Sequence, residues 1–131
     1  MSAVENPIRI LVVEDDEETS ETLCEALADQ GYEPVPAANG REALERLLAW
    51  SQPPSIILLD LMMPILDGRG FRHAQLADPA LRSIPVIVLT AQPDAEQVCS
   101  EMAVNGWLRK PVRLEPLLSL IRRHVTEPLS T

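Results

Sequence analysis

The sequence predicts an α/β fold, a doubly wound parallel sheet of five strands with helices on both faces. Three observations carry that expectation. Five short apolar runs recur along the chain, and three of them are nearly continuous Val, Ile and Leu, which is how strands buried on both faces read. Helical apolar spacings fill the intervals between those runs. The alternation implies βαβ units, whose right-handed crossovers distribute helices over both faces.

The first strand is Ile8–Val13, and the helix after it spans Glu17–Gln30, with Leu23, Ala26 and Leu27 at i, i+3, i+4. The second strand, Glu33–Ala37, is weaker. Pro34 and Pro36 remove two backbone donors, which places it at a sheet edge. The second helix is Gly40–Trp50, with Leu44, Leu47 and Leu48 on one stripe; Asn39 stands at the N-cap and Glu42 at capping-box spacing. The third strand is Ser55–Leu59 and the fourth Pro85–Leu89. Gly68–Ala77 and Asp94–Val104 read as less periodic helices. Gly106–Arg109 is a short fifth strand, and Arg113–Val125 carries the clearest apolar face, formed by Leu114, Leu117, Leu118, Ile121 and Val125.

The chain has 131 residues, one domain's worth, and a domain of this size buries roughly two-thirds of its unfolded surface. A single folded unit is expected over 8–125, after a short N-terminal segment, 1–7, and before a C-terminal tail, 126–131, that frays. Hydrophobic residues at 46% and charged residues at 24% exclude wholesale disorder. A net charge of -9 repels phosphate backbones, and an aromatic share of 3% leaves little for base stacking, so direct nucleic-acid binding is not expected. No apolar run approaches the roughly 18 residues a membrane span needs, and the N-terminus lacks a signal peptide's basic and apolar regions. Cys24 and Cys99 make no disulfide framework and read as small hydrophobes on helices in a reducing cytoplasm.

In open α/β sheets, ligands bind outside the carboxyl ends of the strands. Glu14, Asp15 and Asp16 follow the first strand, Asp60 the third, Thr90 and Ala91 the fourth, and Lys110 and Pro111 the fifth. Asp16, Glu17 and Glu18 are better read as a cap and as charges favouring the helix dipole. Asp60 follows an apolar strand with no helix pattern directly after it. Carboxylates converging as Glu14, Asp15 and Asp60 would do repel one another unless a cation is present. Oxygen ligands without His or Cys suit Mg²⁺ or Mn²⁺ and not Zn²⁺. His73 and His124 lie in helical patterns away from these ends. A divalent ion beside a carboxylate, an ammonium and a hydroxyl makes a phosphoryl site, and Asp60 can be the covalent acceptor.

The segments Ile10–Asp16 (ILVVEDD), Leu58–Gly68 (LLDLMMPILDG), Val88–Ala91 (VLTA) and Leu108–Pro111 (LRKP) resemble the receiver domains of two-component response regulators, across residues 8–125. The resemblance implies a flavodoxin-like (βα)5 fold with strand order 2-1-3-4-5. It implies that Asp60 takes a phosphoryl group from a sensor histidine kinase or histidine phosphotransfer protein. Asp15, Asp60 and the Met62 main-chain carbonyl would ligate Mg²⁺ (Mn²⁺ being an alternative), with Glu14 acting largely through water. Lys110 would pair with Asp60 and then with the phosphoryl oxygens. Thr90 and the Ala91 N–H would bind phosphate, and Thr90 and Trp107 would switch together. The Lys110–Pro111 bond would be cis.

Three positions depart from the usual pattern. Trp107 stands where tyrosine or phenylalanine is more common, so it is either a switch or a fixed packing residue. Val112 stands where phenylalanine is common. Met62 and Gln92 occupy positions that tune phosphate lifetime in the family, and an apolar Met62 cannot orient water, which implies slow self-dephosphorylation. Pro93 stiffens a candidate hinge at Thr90–Asp94. The implied signalling output runs through the fourth helix, fifth strand and fifth helix, to a downstream protein partner or a second copy of the chain. Arg109, Arg113, Arg122 and Arg123 near the fifth strand and helix are either a solvated face or that docking surface. The sequence shows no output domain after Val125, and a stand-alone protein is the favoured expectation over a fragment of a longer one.

Two rival roles fit the sequence less well. A Mg²⁺-dependent aspartyl-phosphate phosphohydrolase would carry a second aspartate where Met62 stands, and the chain has little room for a substrate cap. A pseudo-receiver working without phosphorylation would lack part of the acid pocket, the threonine or the lysine. The expected role is therefore a signalling phospho-acceptor that catalyses only its own phosphorylation and dephosphorylation.

Overall fold

The computed structural model describes residues 7–125, so most of the expected N-terminal segment and all of the tail lie outside the described residues. Five parallel strands, β1 (Arg9–Val13), β2 (Glu33–Ala37), β3 (Ile56–Asp60), β4 (Val86–Thr90) and β5 (Gly106–Arg109), form one sheet in the order β2-β1-β3-β4-β5. Between and after them run α1 (Glu17–Asp29), α2 (Gly40–Ala49), α3 (Gly68–Ala77), α4 (Ala95–Met102) and α5 (Leu114–His124). The fold class, strand count and strand order match the sequence expectation.

The period-two alternation of the strands sorts the core into two layers. Ile10, Val12, Ile56, Leu58, Ile87 and Leu89 face α1 and α5, where they meet Leu27, Leu117, Leu118 and Ile121. Leu11, Val13, Ile57, Leu59, Val86 and Val88 face α2, α3 and α4, where Ala43, Leu47, Phe71 and Val98 complete the other layer. Burying a side chain such as Leu117 or Ile121 fully contributes about 1.5–3 kcal/mol. Every residue of β3 and β4 is buried, which explains why each is apolar up to its last residue, Asp60 or Thr90.

β2 and β5 are the edges, and that accounts for their weaker signals. On β2, Glu33 donates its N–H to the Ile8 carbonyl and Ala37 accepts from the Glu14 N–H, so odd-numbered residues pair with β1. Pro34 and Pro36 therefore occupy the two positions whose N–H would point away from the sheet.

The structure corrects several boundaries and two apolar faces. Asp60 and Thr90 are the last residues of β3 and β4 and do not follow them, because the parallel ladder continues through Asp60–Leu89 and Thr90–Arg109. β1 begins at Arg9, β3 at Ile56 and β4 at Val86; α1, α2, α4 and α5 are each shorter than expected by one to three residues. Leu48 is 71% exposed, since it lies about 100° round the helix from buried Leu47. Leu114 is the first residue of α5 and is also exposed.

The weak periodicity of α3 has a specific cause. Arg72 and Gln75 are buried on its inner face. Arg72 donates to the carbonyls of Met102 (3.1 Å) and Ala103 (2.6 Å) and to Gln75 Oε1 (2.8 Å). Gln75 in turn donates to the carbonyls of Leu81 and Ile84. A buried guanidinium thus sits on the negative end of the α4 dipole and satisfies carbonyls the helix leaves open, while burial lowers its pKa.

Candidate functional site

The chain reverses direction at the carboxyl edge of the sheet, and caps hold the turns that carry the polar residues. Asp16 caps α1, accepting from the Thr19 N–H (2.9 Å) and from the Thr19 hydroxyl; the latter bond holds the Asp16 carboxyl below its ordinary pKa. Asn39 caps α2 by accepting from the Glu42 N–H at 2.9 Å. Glu42 reaches back to the Ala38 N–H, one residue before the N-cap that a capping box would use. Asp67 caps α3 through the Gly70 N–H at 2.9 Å.

The loop from Leu61 to Asp67 is closed by the Gly68 N–H on the Leu61 carbonyl (3.0 Å) and by the Gly40 N–H on the Leu66 carbonyl (2.8 Å). Gly68 is forced by space, because a Cβ there would stand 2.6 Å from the Asp60 carbonyl oxygen and 2.8 Å from the Leu61 Cα. At the loop tip the Leu66 N–H bonds the Pro64 carbonyl at 2.7 Å, a γ-turn with Ile65 at φ +71°. That is an unfavourable conformation for a β-branched residue, and the Ile65 side chain is 72% exposed.

Within this frame Glu14, Asp15 and Asp60 each bring a carboxylate oxygen within 4.8 Å of the others. Glu14 and Asp60 are buried and Asp15 is exposed. The Lys110 ammonium lies 2.7 Å from Glu14 Oε1 and 3.6 Å from Asp60 Oδ1. The expected Lys110–Asp60 pair is present, but its closer partner is Glu14. Burial, with the Glu14 charge second, pushes the Asp60 carboxyl up to about 6, while Lys110 and the Met62 N–H pull against that rise. Burial opposes the charge on Lys110, yet the Glu14 hydrogen bond and the Asp60 and Glu14 charges raise its pKa above the ordinary value.

The donor set and the electrostatics fit a hard divalent cation. Three clustered carboxylates face one ammonium, and the ligands within reach are all oxygen. Such an ion would relieve the repulsion that now raises Asp60.

Thr90 is buried at the end of β4, and its Oγ1 accepts from the Gln92 N–H at 3.1 Å. The Lys110 N–H bonds the Thr90 carbonyl at 2.8 Å, and the Lys110–Pro111 peptide is cis, as expected. Ala91 follows Thr90 and is exposed. Met62 is exposed, its N–H 3.4 Å from Asp60 Oδ1, and its sulfur touches Gln92 Nε2 at 3.2 Å. Trp107 is half-buried beside the α2–α3–α4 layer, with the Arg109 guanidinium 5.4 Å from its ring centroid.

The structure thus gathers Glu14, Asp15, Asp60, Thr90 and Lys110 at one edge and sets Met62 and Gln92 against each other, while Trp107 stands further down β5. Sequence reading missed Arg109 as a positioning residue. Its Nη1 holds the Gln92 carbonyl at 2.7 Å, so it ties the loop after β4 to the ring of Trp107. The spacing of Arg109 two residues from Trp107, on one face of β5, was the available signal.

Comparison with known proteins agrees with this geometry. The response regulator receiver domain family matches residues 10–122. The response regulator MprA of Mycolicibacterium vanbaalenii is 40% identical over 118 residues, covering 88% of this chain and 49% of that protein. The chain therefore spans about half the length of the curated relatives it matches. The signal receiver domain of a signal transduction histidine kinase from Syntrophus aciditrophicus superposes with a TM-score of 0.83 at 33% identity, over 94% of this chain and 93% of that one. The receiver domain of the Pseudomonas aeruginosa sensor histidine kinase PA1611, described with a magnesium ion coordinated in its active site cleft, gives 0.81 at 29% identity, over 90% and 97%. With its strand order, its acidic cluster and these relatives together, the chain belongs to the response regulator receiver domain family of two-component systems.

Proposed function

We propose that Asp60 is a phosphoryl acceptor, charged by the phosphohistidine of a sensor histidine kinase or histidine phosphotransfer protein in the cytoplasm. The observation that carries this reading is the buried Asp60 carboxylate held between two further carboxylates and the Lys110 ammonium, 3.6 Å away. An Asp60 oxygen attacks phosphorus, the P–N bond breaks, and its electron pair leaves on the imidazole nitrogen. Lys110 offsets charge on the phosphoryl oxygens, and Thr90 Oγ1 and the Ala91 N–H donate to them. Asp15, Asp60 and the Met62 carbonyl would hold Mg²⁺, with Glu14 behind them. The ion, when bound, neutralises acceptor and phosphoryl group alike. The magnesium of the PA1611 domain supports that assignment.

The response is a shift of α4, β5 and α5, read by a downstream protein or a second copy of the chain. α4 supports this: Arg72 anchors its C-terminal end, whereas Asp94 makes no side-chain cap bond at its N-terminal end, next to the Thr90 loop. A bias of about 1.4 kcal/mol from phosphate would change the population of the active form tenfold. Trp107 would report or follow that shift. Met62, being apolar, leaves an attacking water unoriented, so the aspartyl phosphate is long-lived.

Incubation with Mg²⁺ and acetyl phosphate tests the proposal. One phosphoryl group per chain, located on Asp60 by peptide mass and absent in Asp60→Asn, is the expected result. Label on another residue, or none, overturns it.

A further inference from the structure

The chain has few sulfur atoms, and the structure sets them in unequal surroundings. Met102 and Cys99 are buried, and burial pushes the Cys99 thiol up, away from reactive thiolate. Cys24 is half-buried in an open groove of about 440 Å³ beside α1 and β2, and its thiol is likewise pushed up, chiefly by burial. Met63 packs against the α2–α3–α4 layer. Met62 alone among these is largely exposed, at 63%. Its sulfur is also the one in contact with an amide donor, Gln92 Nε2 at 3.2 Å. The main chain that carries this amide is itself held: the Gln92 main-chain carbonyl accepts from Arg109, and its main-chain N–H donates to Thr90 Oγ1.

We propose that Met62 is an oxidative modification site, and that its sulfoxide shortens the life of the Asp60 phosphate. The lifetime half of the proposal rests on the phospho-acceptor reading above. A two-electron oxidant of the peroxide class transfers one oxygen: the O–O bond breaks, an S–O bond forms, sulfur loses two electrons, and the second peroxide oxygen leaves as water. The product replaces an apolar thioether with a strong acceptor two residues from Asp60. The Gln92 amide, already at the sulfur, donates to the new oxygen after a small side-chain rotation. A water that donates a hydrogen bond to the same oxygen is then held beside the phosphoryl group, the orienting function that the thioether cannot perform. Reduction by a methionine sulfoxide reductase reverses the change.

The test treats the purified chain with dilute hydrogen peroxide and reads each methionine by fragmentation of its peptides. Sulfoxide should form at Met62 roughly tenfold faster than at Met102. Equal rates overturn the site. Oxidised and untreated protein are then labelled with acetyl phosphate and Mg²⁺, and the decay of the phosphorylated mass is followed. The oxidised form should lose phosphate roughly tenfold faster, recover its original decay after reductase treatment, and show no peroxide effect in Met62→Leu. An unchanged decay with Met62 fully oxidised overturns the lifetime claim. If untreated protein takes no label on Asp60, it is the phospho-acceptor reading that fails, and with it the lifetime claim; the oxidation rates still decide the site.

Discussion

Lys110 and Glu14 are the closest charged partners in the site, 2.7 Å apart, although the lysine also reaches Asp60 at 3.6 Å. Glu14 therefore acts on Asp60 in two ways, by repelling its charge and by drawing away its ammonium. Glu14→Gln should return the Asp60 pKa from about 6 toward the ordinary 3.8. Carboxyl carbon chemical shifts followed against pH in metal-free protein measure this, and an Asp60 midpoint that stays near 6 contradicts it.

Asp60 also makes stability depend on pH. Its folded pKa of about 6 exceeds the ordinary 3.8, so the folded state binds the proton more tightly. That contribution is complete below 3.8 and is lost as pH rises through 6. Asp60→Asn removes the penalty. Without metal it should match the native chain near the lower limit and exceed it at neutral pH by on the order of 1–2 kcal/mol. Mg²⁺ should raise the Tm of the native chain more than that of the variant. Chemical denaturation at both pH values checks the sign, and an equal difference at both rejects it.

Arg72→Met removes a guanidinium that satisfies two main-chain carbonyls at the end of α4. Leaving the buried acceptors, the Met102 carbonyl and Gln75 Oε1, without their donor should destabilise the fold by about 2–4 kcal/mol. Hydrogen exchange should rise first in α4 and in the turn after it. Urea unfolding together with exchange mass spectrometry measures both, and uniform exchange would argue against a local anchor.

Gly68→Ala places a methyl group against main-chain atoms of Asp60 and Leu61 that cannot rotate aside. Loss of roughly 2 kcal/mol or more is expected, with slower labelling of Asp60 by acetyl phosphate. A variant with native stability and labelling rate would show that the loop yields freely.

Ile65→Asn should do the reverse. The side chain is exposed and its φ of +71° suits asparagine far better than a β-branched residue. Stability should rise by about 1 kcal/mol, read from the urea midpoint, while Asp60 labelling by acetyl phosphate is unchanged. A lower midpoint would mean that Ile65 packs better than its exposure indicates.

Much of the architecture was legible because burial on both faces leaves a plain mark: β1, β3 and β4 could hardly read otherwise. The site was legible for a related reason, since Glu14, Asp15, Asp60, Thr90 and Lys110 all stand at strand ends. What resisted reading was polar burial and lateral contact. Arg72 and Gln75 interrupt the apolar stripe of α3 because they hold carbonyls of distant segments, and no local pattern announces such partners. Leu48 belonged to a helical stripe on paper, yet it points past the edge of the packed face. The preference of Lys110 for Glu14, and the seat of Gln92 on the Met62 sulfur, depend on side-chain distances that spacing does not encode.

The two prolines of β2 have a consequence for how this molecule meets others. With both outward amide hydrogens gone, the β2 rim offers an incoming strand carbonyls but no donors, a poor template for a misfolded neighbour or a client peptide. Backbone pairing with another chain is thereby left to the opposite rim, β5, whose four residues include no proline and which ends beside the acidic edge.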